Sequence, residues 1–290
     1  MSSKHPPDGG ATADGATAEI DWAARGRDLR AGADLEAPLT DAVAGHLLSL
    51  VGSAPSAADV GTGGGGMARS LARLGARVDA VDRVAELLEQ LDEPGVRAVP
   101  GELMALARPA SGYDVVWAAA VLHHLPDQQV GVDHLASLLA PGGVLAVSEG
   151  GLPVRTLPRD LGVGRPALET RLDAAQAVWF EEQVRAGQPR MTYDWSTSLR
   201  RAGLAEVTSR TWLTDLPAPL GGLARRWVAD RLTAARRRLA CHVAAEDVAT
   251  LDRLLDEDDE MWVGRREDIF ILSPRCVHLG RRESAPPPPR

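Results

Sequence analysis

Lysine is almost missing from this chain, because Lys4 is the single lysine among 32 basic residues and the others are arginine. Several reaction classes depend on a lysine: P-loop nucleotide hydrolases, kinases, enzymes that form a pyridoxal Schiff base, and short-chain dehydrogenases with a Tyr-x-x-x-Lys pair. Lys4 lies in an unpatterned terminal segment. The composition therefore excludes all four classes.

Cysteine, long apolar runs and net positive charge are also scarce. Cys241 and Cys276 stand alone, without CxxC spacing, so no metal is expected and both are predicted to be buried or half-buried thiols. No run approaches the roughly 20 apolar residues of a membrane helix, and the N-terminus lacks the apolar centre of a signal peptide, so we expect a cytoplasmic protein without a membrane partner. The formal charge of -8 argues against nucleic acid, whose phosphates require clustered cations. The expected partner is a small molecule, and the chain is expected to be a monomer or homodimer.

The pattern of the chain predicts one domain between two tails. Residues 1–18 are polar and unpatterned and residues 283–290 are proline-rich, so both are expected to be disordered. The domain at 19–282 is expected to comprise N-terminal cap helices (19–52), a cofactor-binding core (53–150), and a cap insertion with late strands (151–282).

Short apolar runs alternate with helical segments, which is typical of a parallel sheet covered by helices. The core strands are predicted at 57–60, 77–81, 96–100, 113–118 and 144–148, with helices at 66–74, 83–91, 102–107 and 128–139. Later helices are predicted at 167–187, from Trp195, at 219–240 and at 244–256, and later strands at 205–213 and 268–279. The predicted fold class is α/β, a doubly wound Rossmann-like sheet of seven mostly parallel strands with an added helical cap.

The first strand runs into glycine, in the stretch AADVGTGGGG at 57–66. A glycine turn between a strand and a helix lets backbone N–H groups face a ligand at the positive end of the helix. Gly61, Gly63 and Gly66 fit G-x-G-x-x-G, and Asp82 stands where a carboxylate would meet ribose hydroxyls. This pattern alone is typical of dinucleotide binding, so an NAD(P)-dependent oxidoreductase is one alternative.

Three further features favour another class. Asp59 precedes the first glycine by two residues, where a carboxylate suits a cationic amino group better than a pyrophosphate. The fourth strand ends in WAAAVLHHLPD, and LLAPGGVLAVSE introduces the fifth. Over residues 55–150 the chain resembles the class I S-adenosylmethionine-dependent methyltransferases, particularly the small-molecule group that includes the ubiquinone and menaquinone biosynthesis enzymes.

The resemblance implies S-adenosyl-L-methionine as the cofactor and methyl transfer as the reaction. The glycine loop would pass under the methionine part with Asp59 near its amino group, while Asp82 would accept from the ribose hydroxyls. Glu102, where these enzymes often carry Asp, would meet the adenine beside Leu103. The full set of predicted cofactor-binding residues is Asp59, Gly61, Thr62, Gly63, Gly65, Asp82, Arg83, Glu102, Leu103 and Ala118.

The acceptor leaves a weaker trace, because a sulfonium methyl group is already activated and a general base is not obligatory. The candidate catalytic residues are His123, His124 and Tyr193. Tryptophans concentrated in the C-terminal third predict an aromatic-lined cavity for an apolar or aromatic acceptor. The arginine run at 225–238 is interpreted as a solvated surface paired with nearby acids. A non-catalytic S-adenosylmethionine-binding regulatory protein is the other alternative.

Overall fold

A computed structural model describes residues 21–284, so the predicted tails lie outside the described residues except for residues 283 and 284. Its seven strands are β1 (Ser56–Val60), β2 (Arg77–Asp82), β3 (Val96–Pro100), β4 (Tyr113–Ala119), β5 (Leu139–Ser148), β6 (Ala205–Leu216) and β7 (Ile271–Arg281). They form one sheet in the order β3-β2-β1-β4-β5-β7-β6. The first five strands are parallel, and β7 pairs antiparallel with both β5 and β6. The predicted fold class is confirmed.

Helices cover the sheet on both faces and extend beyond its carboxyl edge. They are α1 (Trp22–Leu35), α2 (Ala37–Ser49), α3 (Gly66–Arg73), α4 (Ala85–Leu88), α5 (Gln128–Ser137), α6 (Leu168–Gln183), α7 (Trp195–Arg201), α8 (Gly222–Leu239) and α9 (Ala245–Leu255). Two 3-10 turns span Leu103–Ala105 and Leu122–His124. The predicted division of the domain at residues 52 and 150 stays a prediction.

Three local predictions were wrong. The helix predicted at 83–91 is only the single turn α4, and the backbone carbonyl that follows it at Gln90 accepts a hydrogen bond from Arg30 of α1 instead of continuing the helix. The helix predicted at 102–107 is the first 3-10 turn. The strand predicted from residue 144 begins at Leu139, because the Pro-Gly-Gly stretch forms an irregularity inside β5 and does not end a helix.

Alternating strand residues build a separate core on each face of the sheet, as the pleat of a strand requires. Ala57, Val115 and Trp117 pack with α2 and α3, whereas Val116 and Ala118 face the other way, toward α5 and α7. A third apolar cluster joins α6, α8 and α9 into the helical cap. The sheet is thus closed on both faces, and its carboxyl edge lies beside the cap.

Two compositional predictions can be compared with the structure. Within residues 21–284, the helices are either too short or too polar to cross a membrane. Both cysteines are free; Cys276 is half-buried as predicted, but Cys241 is exposed because it follows the last turn of α8 on the surface of the cap.

Candidate functional site

The glycine loop joins β1 to α3 at the carboxyl edge of the sheet. Gly61, Gly63 and Gly65 have φ values of +71°, +51° and +72°, a region that residues with a side chain rarely adopt. A Cβ at Gly61 would lie 2.7 Å from Cγ2 of Val121, whereas a Cβ at Gly63 would have no neighbour nearer than 3.9 Å. Gly63 is therefore the position where a ligand can reach the backbone of this loop.

Asp82, at the end of β2, is bound to the glycine loop. Its Oδ2 accepts from the N–H of Gly63 at 3.0 Å, and its Oδ1 accepts from the N–H of Val84 at 3.0 Å. The residue that caps α4 is Val84 and not Asp82. The carboxylate is thereby held next to Gly63, so that one ligand could contact both Asp82 and the backbone of Gly63.

Asp59 lies inside the protein, with 3% of its surface exposed. Its Oδ2 accepts from the hydroxyl of Thr62 at 2.7 Å and from the N–H of Ala68, in α3, at 2.9 Å. Burial raises the pKa of the Asp59 carboxyl to about 6, although both hydrogen bonds act in the opposite direction. Asp59 therefore braces the loop against α3, in addition to any contact with a ligand.

Helix α1 lies directly over the glycine loop. A Cβ at Gly64 would come within 2.5 Å of the carbonyl oxygen of Leu29, and a Cβ at Gly66 within 3.1 Å of an α1 side chain. Arg69, which is almost fully buried, donates to the carbonyl of Gly64 at 2.7 Å and to Asp34 of α1 at 3.0 Å. Loop and helix are joined both by backbone contact and by one shared guanidinium group.

The remaining predicted cofactor residues border the same edge. Glu102 lies two residues after the end of β3 and is exposed, as is Arg83 after β2, while Leu103 is buried in the core. Ala118 is fully buried, and the accessible part of β4 begins at Ala119. The structure thus brings the ends of β1, β2 and β3 together, and their roles toward a cofactor stay predictions.

His123 is paired with Glu149, a residue that our sequence reasoning missed. Its Nδ1 lies 2.9 Å from Oε2 of Glu149, at the end of β5, and Oε1 of Glu149 accepts from the N–H groups of Val121 and Leu122 at 2.7 Å each. Ala120, just before this turn, has a φ of +53°, a strained conformation of the kind that clusters at functional sites. The only sequence signal was an acid immediately after a buried strand, in VSEG.

This pair defines the tautomer of His123. A carboxylate oxygen only accepts, so in the neutral imidazole Nδ1 carries the proton and Nε2 keeps a lone pair. The ring is 22% exposed, and it contacts Phe180 of α6 edge-on at 5.4 Å between centroids. His123 therefore has the hydrogen-bonding state of a base at the border between sheet and cap.

The other two catalytic candidates have different surroundings. The ring of His124 is exposed and lies 4.1 Å from that of His123. The hydroxyl of Tyr193 donates to Oε1 of Gln129 at 3.0 Å, and the guanidinium of Arg201 covers its ring at 3.8 Å. Tyr193 is thus bound between α5 and α7, whereas His123 and His124 share one turn.

The tryptophans do not assemble into the single aromatic cavity that the sequence predicted. Trp179, Trp227 and Trp262 pack against the core of the cap, whereas Trp195 packs beneath one face of the sheet and Trp212 on the other. All five follow residue 150 in the sequence, but the intervening helices and strands place them in different layers of the fold.

A sheet of this order, with five parallel strands, an antiparallel β7, a glycine loop after β1 and an acid at the end of β2, has the architecture of the class I methyltransferase fold. Residues 58–147, about a third of the chain, match the family model described as a methyltransferase domain. The resemblance inferred from the sequence is confirmed.

Known proteins are similar to part of this chain. A ubiquinone biosynthesis O-methyltransferase of Xanthomonas campestris is 39% identical over 98 residues, which cover 31% of this chain and 41% of the relative. An uncharacterized methyltransferase of Mycobacterium bovis is 37% identical over 93 residues, covering 31% of this chain and 47% of the relative. The chain thus spans less than half the length of these curated relatives.

A solved structure is similar to a larger part of this chain. A solved structure from Anaeromyxobacter dehalogenans, named as a type II methyltransferase, superposes with a TM-score of 0.52 at 21% identity, over 84% of this chain and 97% of the other. At this identity the likeness concerns the fold alone. The superposed part is larger than the matched residues 58–147.

Proposed function

We propose that this chain binds S-adenosyl-L-methionine at the carboxyl edge of β1, β2 and β3 and transfers its methyl group to a small molecule. The observation that carries the proposal is the junction of Gly63 and Asp82 inside the matched methyltransferase domain. Gly63 exposes backbone to open space, and Asp82 places a carboxylate beside it. A cofactor with a polar sugar and an amino-acid part fits such a donor and acceptor set.

The residues that would hold the cofactor are those that the resemblance implies. The loop at Gly61, Gly63 and Gly65 would lie under the methionine part, Asp82 would accept from the ribose, and Glu102 would meet the adenine. Asp59, beneath the loop, would lie near the amino group of the methionine part. When bound, the cofactor supplies an activated methyl group on a sulfonium.

The chain's own groups would then position the acceptor and remove its proton. His123 would take that proton at Nε2, while Glu149 holds Nδ1–H in place and stabilises the imidazolium that results. Helix α1, lying over the loop, would limit the access of water to the site. The name of the Xanthomonas relative specifies methylation of oxygen, so an oxygen acceptor is the first class to test.

Isothermal titration calorimetry of the purified chain tests the proposal. We expect micromolar binding of S-adenosylmethionine and of its demethylated product, and little binding of NAD or NADP. Tighter binding of a nicotinamide cofactor would contradict the proposal and favour the oxidoreductase alternative. Demethylated product that forms only when an acceptor is added would exclude the non-catalytic regulatory alternative.

A further inference from the structure

A cavity of about 230 Å³ lies in the helical cap, between α6 and α8. Its polar lining consists of Asp173 and Gln176 from α6 and of Arg231 and Arg238 from α8, and Val154 contributes apolar surface. These residues are separate from the glycine loop, and the sequence interpretation treated the arginines as part of a solvated surface. The cavity therefore has no role in cofactor binding as described above.

Arg238 has no carboxylate partner among residues 21–284. Its guanidinium lies 5.3 Å from the ring centroid of Trp179, on α6. Burial and the nearby charges of Arg237, Arg25 and Arg231 lower the pKa of Arg238. Of these arginines, Arg231 and Arg238 line the cavity, in a protein whose formal net charge is -8.

The carboxylates near the cavity are already committed elsewhere. Glu169 approaches Arg231 only to 3.9 Å, and its two oxygens accept from the N–H and hydroxyl of Thr156 and from the N–H of Leu157. Asp173 forms an ion pair with Arg155 at 2.6 Å. In contrast, Arg236 at the same end of α8 pairs with Asp252 at 2.6 Å, as the sequence interpretation expected of the whole run.

We propose that this cavity binds an anionic group, a carboxylate or a phosphate, through Arg231 and Arg238. A guanidinium presents paired N–H donors that match the oxygens of either anion. An anion bound between two guanidinium groups would also offset their mutual repulsion. The ring of Trp179 provides a flat apolar surface beside Arg238, which suits an anionic group attached to an apolar skeleton.

The position of the cavity connects it with the acceptor. Trp179 contacts Arg238, and the next residue of α6, Phe180, contacts the ring of His123. Arg25, whose charge acts on Arg238, belongs to α1, the helix that covers the glycine loop. The inference that the bound anion is part of the acceptor rests on the proposed function. The inference that an anion binds in this cavity does not.

The test compares Arg238→Gln with Arg226→Gln, which removes one positive charge from another exposed arginine of the same helix, about 18 Å away and outside the cavity lining. The probes are inorganic phosphate and benzoate, each titrated against chloride of equal ionic strength and followed by the melting temperature and by calorimetry. We expect at least one probe to bind the unchanged chain and Arg226→Gln, and Arg238→Gln to bind it about ten-fold more weakly or worse. Arg238→Lys, which keeps the charge, should retain more affinity than Arg238→Gln.

Two results would overturn the site: neither probe binding better than chloride, or Arg238→Gln binding as well as Arg226→Gln. Preference for phosphate or for benzoate distinguishes the two kinds of anion. S-adenosylmethionine affinity is measured in the same samples. If the anion binds and the cofactor does not, the site stands while the proposed function and the assignment to an acceptor fail.

Discussion

Replacing Asp59 with asparagine should make the protein more stable at neutral pH. Burial raises the pKa of this carboxyl from 3.8 to about 6. Between these two values the folded chain holds a proton that the unfolded chain has released. Because the folded state binds more protons in this window, the free energy of unfolding decreases as pH rises through it and then stays at the lower level.

The size of the effect follows from the shift. A difference of about two pKa units corresponds to about 3 kcal/mol between the neutral and the ionised carboxyl in the folded protein. About 1 kcal/mol of this is lost below pH 4.5, and about 2 kcal/mol between pH 4.5 and 7.5. Asparagine has the same shape and keeps one oxygen for Thr62 and Ala68, but it does not ionise.

Urea unfolding of both proteins at several pH values measures this prediction. Other titrating groups are common to the two proteins and cancel in the difference between their free energies of unfolding. The advantage of Asp59→Asn should grow by about 2 kcal/mol from pH 4.5 to 7.5. A difference that does not change with pH would refute the reasoning, because it would mean that the carboxyl ionises in the fold without cost. Weaker cofactor binding by the same variant would support the predicted contact of Asp59 with the amino group.

Three other changes test the loop and the base. Gly64→Ala should lower the melting temperature, by roughly 2–4 °C for each kcal/mol of strain, because the new methyl group would meet the backbone of α1. The control is Gly45→Ala on α2, which has open space around it and should be neutral or stabilising in the same thermal scan. Asp82→Asn should weaken S-adenosylmethionine binding about ten-fold in calorimetry, and unchanged affinity would remove Asp82 from the site. Glu149→Gln should lower kcat roughly 100-fold with cofactor affinity unchanged, since its amide would donate to Nδ1 of His123 and move the proton to Nε2; an unaltered pH profile of kcat would contradict this role.

The strands and the loop could be predicted because their signals are local. Apolar runs that end in glycine or acid gave the bounds of β1 to β4 to within a residue or two. The helix predicted from residue 128 begins there as α5, and Asp127 caps it, since its Oδ1 accepts from the N–H groups of Gln129 and Val130. Each of these features depends on residues only a few positions apart.

The partners across the fold could not be predicted in the same way. Glu149 and His123 are 26 residues apart, and they meet only because β4 and β5 are neighbours in the sheet. Trp195 and Trp212 are closer in sequence, yet they pack on opposite faces. Composition indicates that such residues will be buried or paired, but the layer that receives them is decided by the topology.

The glycines at 63 and 64 are needed for two different reasons, which the sequence motif does not distinguish. Gly63 leaves open space that a ligand can use, whereas Gly64 lacks a side chain because the backbone of α1 occupies that place. Arg69 contacts both the loop, at the carbonyl of Gly64, and α1, at Asp34. A displacement of the loop by a bound ligand would therefore act on α1 through the same guanidinium, and a displacement of α1 would act on the loop. The glycines beyond the ligand motif are explained by this contact, so cofactor binding and the position of α1 should change together.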